Sequence, residues 1–205
     1  LLLLLLIALT AEGFYLLDSS GSTPEGESRY FPETGHNLQG AFFHYFQEKG
    51  GVEIFGYPIT EEFQEDGLLV QYFQRARLVL TGSRGKRASG SQVRMTPLGE
   101  LLGHRSQPFK ATYHFPYRYY PQTGHALSFA FLDYYEAQGR EEVFGYPISE
   151  PFLERGLIVQ YFQQARMEWH PDMRCVQLGL LGEEYFEARC LDPALRAPVE
   201  PTRGD

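Results

Sequence analysis

Basic residues are the minority in this chain of 205 residues: 18 Lys+Arg stand against 26 Asp+Glu, a formal net charge of −8. Proteins that grip nucleic acid or an anionic membrane surface need a basic face, so the charge balance argues against both. Cysteine occurs twice and tryptophan once. Cys175 and Cys190 form no CxxC pair, and histidines with HExxH spacing are absent, so nothing resembles a metal motif. There is no GxSxG nucleophile elbow, and neither cysteine has a neighbouring histidine to activate it. Gly85-Lys86-Arg87 fails as a phosphate loop, because Leu80 and Arg87 stand where a glycine and a hydroxyl residue are required. No cofactor is implied. Wholesale disorder is also excluded, since 43% of residues are hydrophobic and 21% charged. What the chain has in excess is aromatic: 14 Tyr and 16 Phe.

The one long apolar run is residues 1–11, six leucines followed by Ile7-Ala8-Leu9-Thr10-Ala11. It matches the apolar region of a signal peptide, truncated at its start, with a cleavage site after Thr10 or Ala11. A signal anchor reaching Leu17 is the alternative, although Glu12 and Gly13 interrupt it and a spanning helix wants about 20 apolar residues. A buried core helix is the third reading. The expectation is an exported protein at the cell surface or outside it. Residues 1–17 would be the targeting segment, its only membrane contact, and residues 18–28 a linker. In an oxidising compartment Cys175 and Cys190 could form a disulfide clipping the last helix to the preceding strand; two unpaired thiols is the other reading.

An internal repeat organises the rest. Residues 29–81 align without a gap onto 118–170 at an offset of 89, with 29 of 53 pairs identical. Phe55-Gly56-Tyr57-Pro58-Ile59 recurs as Phe144-Gly145-Tyr146-Pro147-Ile148, and Val70-Gln71-Tyr72-Phe73-Gln74 as Val159-Gln160-Tyr161-Phe162-Gln163. The match resumes at 93–100 against 176–183, with six extra residues in the first copy's loop near 82–91. Repeats of this kind set the architecture. The division is therefore unit 1 at 29–107, unit 2 at 108–191 and a Pro-rich tail at 192–205. The closing Arg203-Gly204-Asp205 is a chance integrin-type match.

Within each unit, Leu38, Ala41, Phe42, Tyr45 and Phe46, and equally Leu127, Ala130, Phe131, Tyr134 and Tyr135, mark one helical stripe. Thr34 and Thr123 are candidate N-caps, and Gly50-Gly51 and Gly139 end the helices. The Phe-Gly-Tyr-Pro segment is a fixed corner, glycine permitting a positive φ and proline holding the preceding tyrosine extended. Residues 68–73 and 77–80, and 157–162 and 166–169, read as hairpins, with a single helix as the alternative. Pro97 opens a short helix whose counterpart is 181–186. The fold class is α+β: two tandem homologous units, each a helix, a corner, a short β-hairpin and a short terminal helix, packed on one another. Most paired aromatics are core.

At these residues the chain resembles the LGFP-type repeat of bacterial cell-wall-associated exported proteins. The pattern is carried by Phe55-Gly56-Tyr57-Pro58, Glu61, Gly67, Gln71-Tyr72-Phe73 and Ala76, and by Phe144-Gly145-Tyr146-Pro147, Glu150, Gly156, Gln160-Tyr161-Phe162 and Ala165. Phe replaces the family's first Leu in both copies, and the endings Arg77-Leu78-Val79-Leu80 and Arg166-Met167-Glu168-Trp169 depart from it. The resemblance implies an envelope module without catalytic residues.

Candidate sites follow from these patterns. Tyr57, Gln71, Tyr72 and Arg77, with Tyr146, Gln160, Tyr161 and Arg166, supply two sets of aromatic faces flanked by amide and charged groups, as glycan recognition uses. The competing reading buries the tyrosines and spends Gln and Arg on hairpin backbone. For catalysis, Glu61 with Glu150 and Glu53 with Glu142 are paired acids, while Glu33 is matched by Gln122. Repeated acids at matching positions are more often structural, contacting Arg77 and Arg166 or capping helices. A metal site from His36, His125, Glu168 and His170 is geometrically conceivable but nothing demonstrates convergence. The expected function is a non-enzymatic module binding cell-wall polysaccharide weakly. A protein-interaction or spacer role with an envelope protein is the alternative, and a cell-wall hydrolase the third.

Overall fold

The computed structural model describes residues 27–82, 92–109 and 113–202. The apolar run, the Gly85-Lys86-Arg87 loop and the Arg203-Gly204-Asp205 end lie outside the described residues. The fold mixes helix with small antiparallel sheets.

Strand β1 (Ser28–Phe31) pairs with β2 (His36–Gln39) through a turn closed by the Gly35 N–H on Phe31 O at 2.8 Å. Helix α1 (Gly40–Glu48) and the one-turn α2 (Gly51–Phe55) follow. The helix therefore starts later than its apolar spacing predicts. Leu38 lies in β2, not on the helical stripe, and Thr34 sits in the hairpin turn instead of capping. Four extended residues that satisfy β1 take precedence over a fourth helical turn, and Leu38 is buried either way. Next comes a four-stranded meander, β3 (Phe63–Glu65), β4 (Leu68–Tyr72), β5 (Arg77–Thr81) and β6 (Gln92–Met95), and then α3 (Leu98–Leu101). The expected hairpin is β4–β5, with Tyr72 opposite Arg77; β3 and β6 widen it into a sheet.

The C-terminal half runs through the same sequence of elements. A hairpin of β7 (Tyr117–Tyr120) and β8 (His125–Ser128) leads to α4 (Phe129–Ala137) and α5 (Arg140–Phe144). The second meander is β9 (Phe152–Glu154), β10 (Leu157–Tyr161), β11 (Arg166–His170) and β12 (Cys175–Leu178), followed by α6 (Leu181–Ala188) and a 3-10 turn at Pro193–Arg196. Thr123 sits in the β7–β8 turn and Leu127 in β8, repeating the correction made for Thr34 and Leu38.

The corner glycines have the positive φ their motif requires, 71° at Gly56 and 69° at Gly145. A glutamine from the facing turn locks each corner: Gln74 Oε1 accepts the Tyr57 N–H at 3.1 Å, and Gln163 Oε1 the Tyr146 N–H at 2.9 Å. One continuous core joins the halves, with Phe46 stacked on Phe73 and Tyr135 on Phe162.

The short helices are exchanged. Leu98 of α3 packs with Ile148, Val159 and Tyr161 of the C-terminal half, while Phe186 of α6 packs with Ile59, Val70 and Tyr72 of the N-terminal half. Gly99 donates its N–H to Gln163 O at 3.0 Å, and Glu183 donates to Gln74 O at 3.1 Å. The helix starts approach so closely that a Cβ on Gly99 or Gly182 would overlap the carbonyl oxygen of Phe162 or Phe73.

This exchange also separates the cysteines, and both are free thiols. Of the two readings of the cysteine pair, the one with unpaired thiols holds. Cys175 pairs with His170 in the second sheet, whereas α6 carries its C-terminal end to the first sheet, where Arg189 next to Cys190 meets Glu65 and Asp66.

Candidate functional site

Six of the eight residues expected to face a ligand lie inside the protein, which corrects that expectation. Gln71 and Gln160 are fully buried and staple three segments together. Each Nε2 donates to a carbonyl of the β2 or β8 strand, Asn37 O or Ala126 O, and to one after the corner, Thr60 O or Ser149 O, all at 2.8–2.9 Å. The two N–H groups of each amide are thereby satisfied, which a hydrocarbon side chain could not do for the facing carbonyls.

Tyr72 is buried between Phe63, Tyr185 and Phe186, and its hydroxyl donates to Glu65 at 2.9 Å. Arg77 also binds Glu65, at 2.8 Å, with its guanidinium 5.6 Å from the Tyr72 ring centre. Burial alone would raise the Glu65 carboxyl, but bonds from Tyr72 and Arg77 with the arginine charge hold it below its ordinary value. Tyr161 donates to Glu154 at 2.9 Å and lies 3.9 Å from the stacked His104 ring. Burial pushes the Tyr161 phenol up to about 12, against the opposing pull of Arg166. Burial likewise lowers His104, against the charges of Glu154 and Glu184. Arg166 reaches Glu168 at 2.7 Å and Glu184 at 3.0 Å. Tyr57 and Tyr146 remain half-buried, edge-on or tilted against Phe31 and Tyr120.

The repeated acids take different partners from those expected. Glu61 and Glu150 do not meet Arg77 or Arg166. Each sits 3.3 Å from a buried histidine Nδ1, His36 or His125, and accepts the N–H of Asn37 or Ala126. A general base needs its ring nitrogen open to substrate, and these rings are buried. The pairs fasten each hairpin to the segment after the corner. Glu142 lies 3.8 Å from Lys49, and Glu168 pairs with Arg166 and His170. Of the four, Glu168 and His170 meet, while His36 and His125 each pair elsewhere, and among the described residues no three metal-ligating side chains converge. No helix among the described residues is long and apolar enough to cross a membrane.

The open, ring-lined site lies elsewhere. A cavity of about 530 Å³ is walled by Tyr113, Phe115, Phe129, Ile158 and Trp169, with Ser128 at its edge. Phe115 packs 4.7 Å from both Tyr113 and Phe129 between ring centres. Tyr113 is anchored by its hydroxyl, which donates to Glu150 at 2.6 Å. Phe129, first residue of α4, is 63% exposed on a left-handed backbone, φ 50°. Sequence reasoning overlooked this site because it weighed positions the two copies share. At the offset of 89, Phe129, Pro151, Ile158 and Trp169 replace Gly40, Glu62, Leu69 and Leu80; the signal was in the mismatches.

No protein-family model and no curated protein matches the chain.

Proposed function

We propose that this chain is an exported, envelope-associated module of two duplicated units that binds cell-wall polysaccharide without catalysing its cleavage. The duplication reading is supported by the gapless alignment of residues 29–81 on 118–170 and by the equal order of elements in the two halves. The LGFP-type likeness of the Phe-Gly-Tyr-Pro and Gln-Tyr-Phe segments supports a wall location, and the apolar composition of residues 1–11 supports export. The observation that carries the reading is the open cavity ringed by Tyr113, Phe115, Phe129 and Trp169. Partly exposed aromatic faces suit recognition of a polymer's repeating unit. Binding would be weak at one such cavity and strengthened on an insoluble polymer by presenting many copies of the ligand.

The test is co-sedimentation of the full chain with purified peptidoglycan sacculi bearing their attached polysaccharides. Retention that soluble wall polysaccharide competes away is expected. Absence of retention at every salt concentration would remove the proposal.

A second reading, a protein-interaction surface, is favoured by the apolar Leu153 and Ile158, 72% and 46% exposed on β9 and β10 beside the cavity. Retention on sacculi that persists against soluble polysaccharide but is lost after protease treatment of the sacculi would favour it.

A further inference from the structure

We propose that the cavity beside α4 is a subsite for a single uncharged sugar ring, and that Phe129 is its specificity-determining stacking residue; this deepens, and rests on, the polysaccharide reading above. The backbone of Phe129 carries the argument. Left-handed φ is unfavourable for a bulky residue. The corresponding first residue of α1 is Gly40, with φ 55° against 50° at Phe129. The fold therefore needs the left-handed entry into the helix and has no need of the phenyl group. Nor does burial compensate, since the ring stays 63% exposed. An outward ring on an unfavourable backbone is what a binding site retains and stability alone would remove.

The lining selects the ligand. Its volume, about 530 Å³, falls in the usual range for small-ligand sites, roughly 300–1,000 Å³. Among the described residues no acidic or basic side chain lines it, and the chain's net charge is −8. A phosphate- or uronate-bearing chain thus finds no cation among the described lining residues and meets a repelling field. A fatty acyl chain gains fully only when enclosed, yet Phe129 and Ile158 stay 63% and 46% exposed. A pyranose meets both conditions. Its C–H face covers an aromatic ring while its hydroxyl edge remains in water, and the lining residues include Ser128 and Tyr113.

Trp169 is the only tryptophan and lines this cavity, so its emission reports occupancy of this site and no other. The experiment titrates the full chain with neutral tetramers of N-acetylglucosamine, glucose and galactose, with an oligogalacturonate, and with a non-ionic alkyl detergent below its micelle concentration. A saturable shift in Trp169 emission with a neutral tetramer and none with the oligogalacturonate is expected. Phe129→Gly should weaken that binding about tenfold, the loss of one stacked ring, while raising the melting temperature. Phe129→Tyr should keep the affinity. Equal affinity in Phe129→Gly, silence across the neutral panel, or a response to the detergent alone would overturn the proposal. Retention on sacculi with a silent Trp169 removes this subsite and leaves the broader reading standing, whereas absence of retention removes the broader reading itself.

Discussion

The β8–α4 face of the C-terminal half and the β2–α1 face of the N-terminal half share a backbone and differ in what they present. Ser128, Phe129, Pro151, Ile158 and Trp169 occupy the positions of Gln39, Gly40, Glu62, Leu69 and Leu80. Where the copies agree, at Gln71 and Gln160 or Tyr72 and Tyr161, the side chains are buried and bonded internally. These matched glutamines and tyrosines are scaffold, whereas most of the cavity's aligned lining residues differ between the halves.

The comparison can be broken first at the exchanged helices. Gly99→Val and Gly182→Val should each cost about 3 kcal/mol or more, because the added carbons press on the carbonyls of Phe162 and Phe73. Chemical denaturation would show nearly equal losses if the two contacts are equivalent, and one tolerated substitution would show that they are not.

The buried arginines should differ more. Arg77→Met leaves Glu65, whose side chain is 5% exposed, without its closest cation, and should cost about 3 kcal/mol. Arg166→Met should cost less, since its partners Glu168 and Glu184 are 15% and 31% exposed and regain water. Thermal melts of the two variants decide this, and equal losses would erase the distinction.

Titration sharpens it further. The carboxyl of Glu65 lies below its ordinary value in the fold, so its contribution is present above the unfolded value, about 4.3, and is lost as pH falls through the depressed one. Glu65→Gln should flatten the acid limb of a stability–pH curve. The phenol of Tyr161 is raised to about 12. Its contribution is intact below the unfolded value, about 10, and disappears as pH rises through 12. Absorbance at alkaline pH should show this phenolate forming late, and Tyr161→Phe should remove that step.

The smallest effect is a reciprocal swap. Gly40→Phe should destabilise by about 1 kcal/mol through left-handed strain. Phe129→Gly should stabilise by less, because the freedom of glycine in the unfolded chain, about 0.5–1 kcal/mol, offsets the relief. Melting temperatures moving in the same direction for both would show that the two helix starts are not comparable.

Much of the scaffold was legible from local chemistry. The corners at Gly56 and Gly145 need a positive φ, and Val70-Gln71-Tyr72 and its copy carry strand composition bounded by turns. The β2–α1 boundary was harder, because Leu38 satisfies both a helical spacing and a strand alternation, and only pairing with β1 decides. Strand β3 has three residues, too few for a period, although Asp66-Gly67 signals its turn. The exchange of α3 and α6 was invisible: an apolar face predicts burial and does not name the sheet that receives it. For the candidate site, amides and aromatics at matched positions read equally as platform or as staple until burial is known, and the cavity collects residues from five separate segments.

The exchanged helices also set an order of events. When a chain emerges N-terminus first, the face made by Ile59, Val70, Tyr72 and Val79 stays bare until Phe186 arrives. The first sheet therefore has no finished form of its own during synthesis. Completion comes late and all at once, and a product cut short in the segment after α3 would carry a sticky, unroofed sheet.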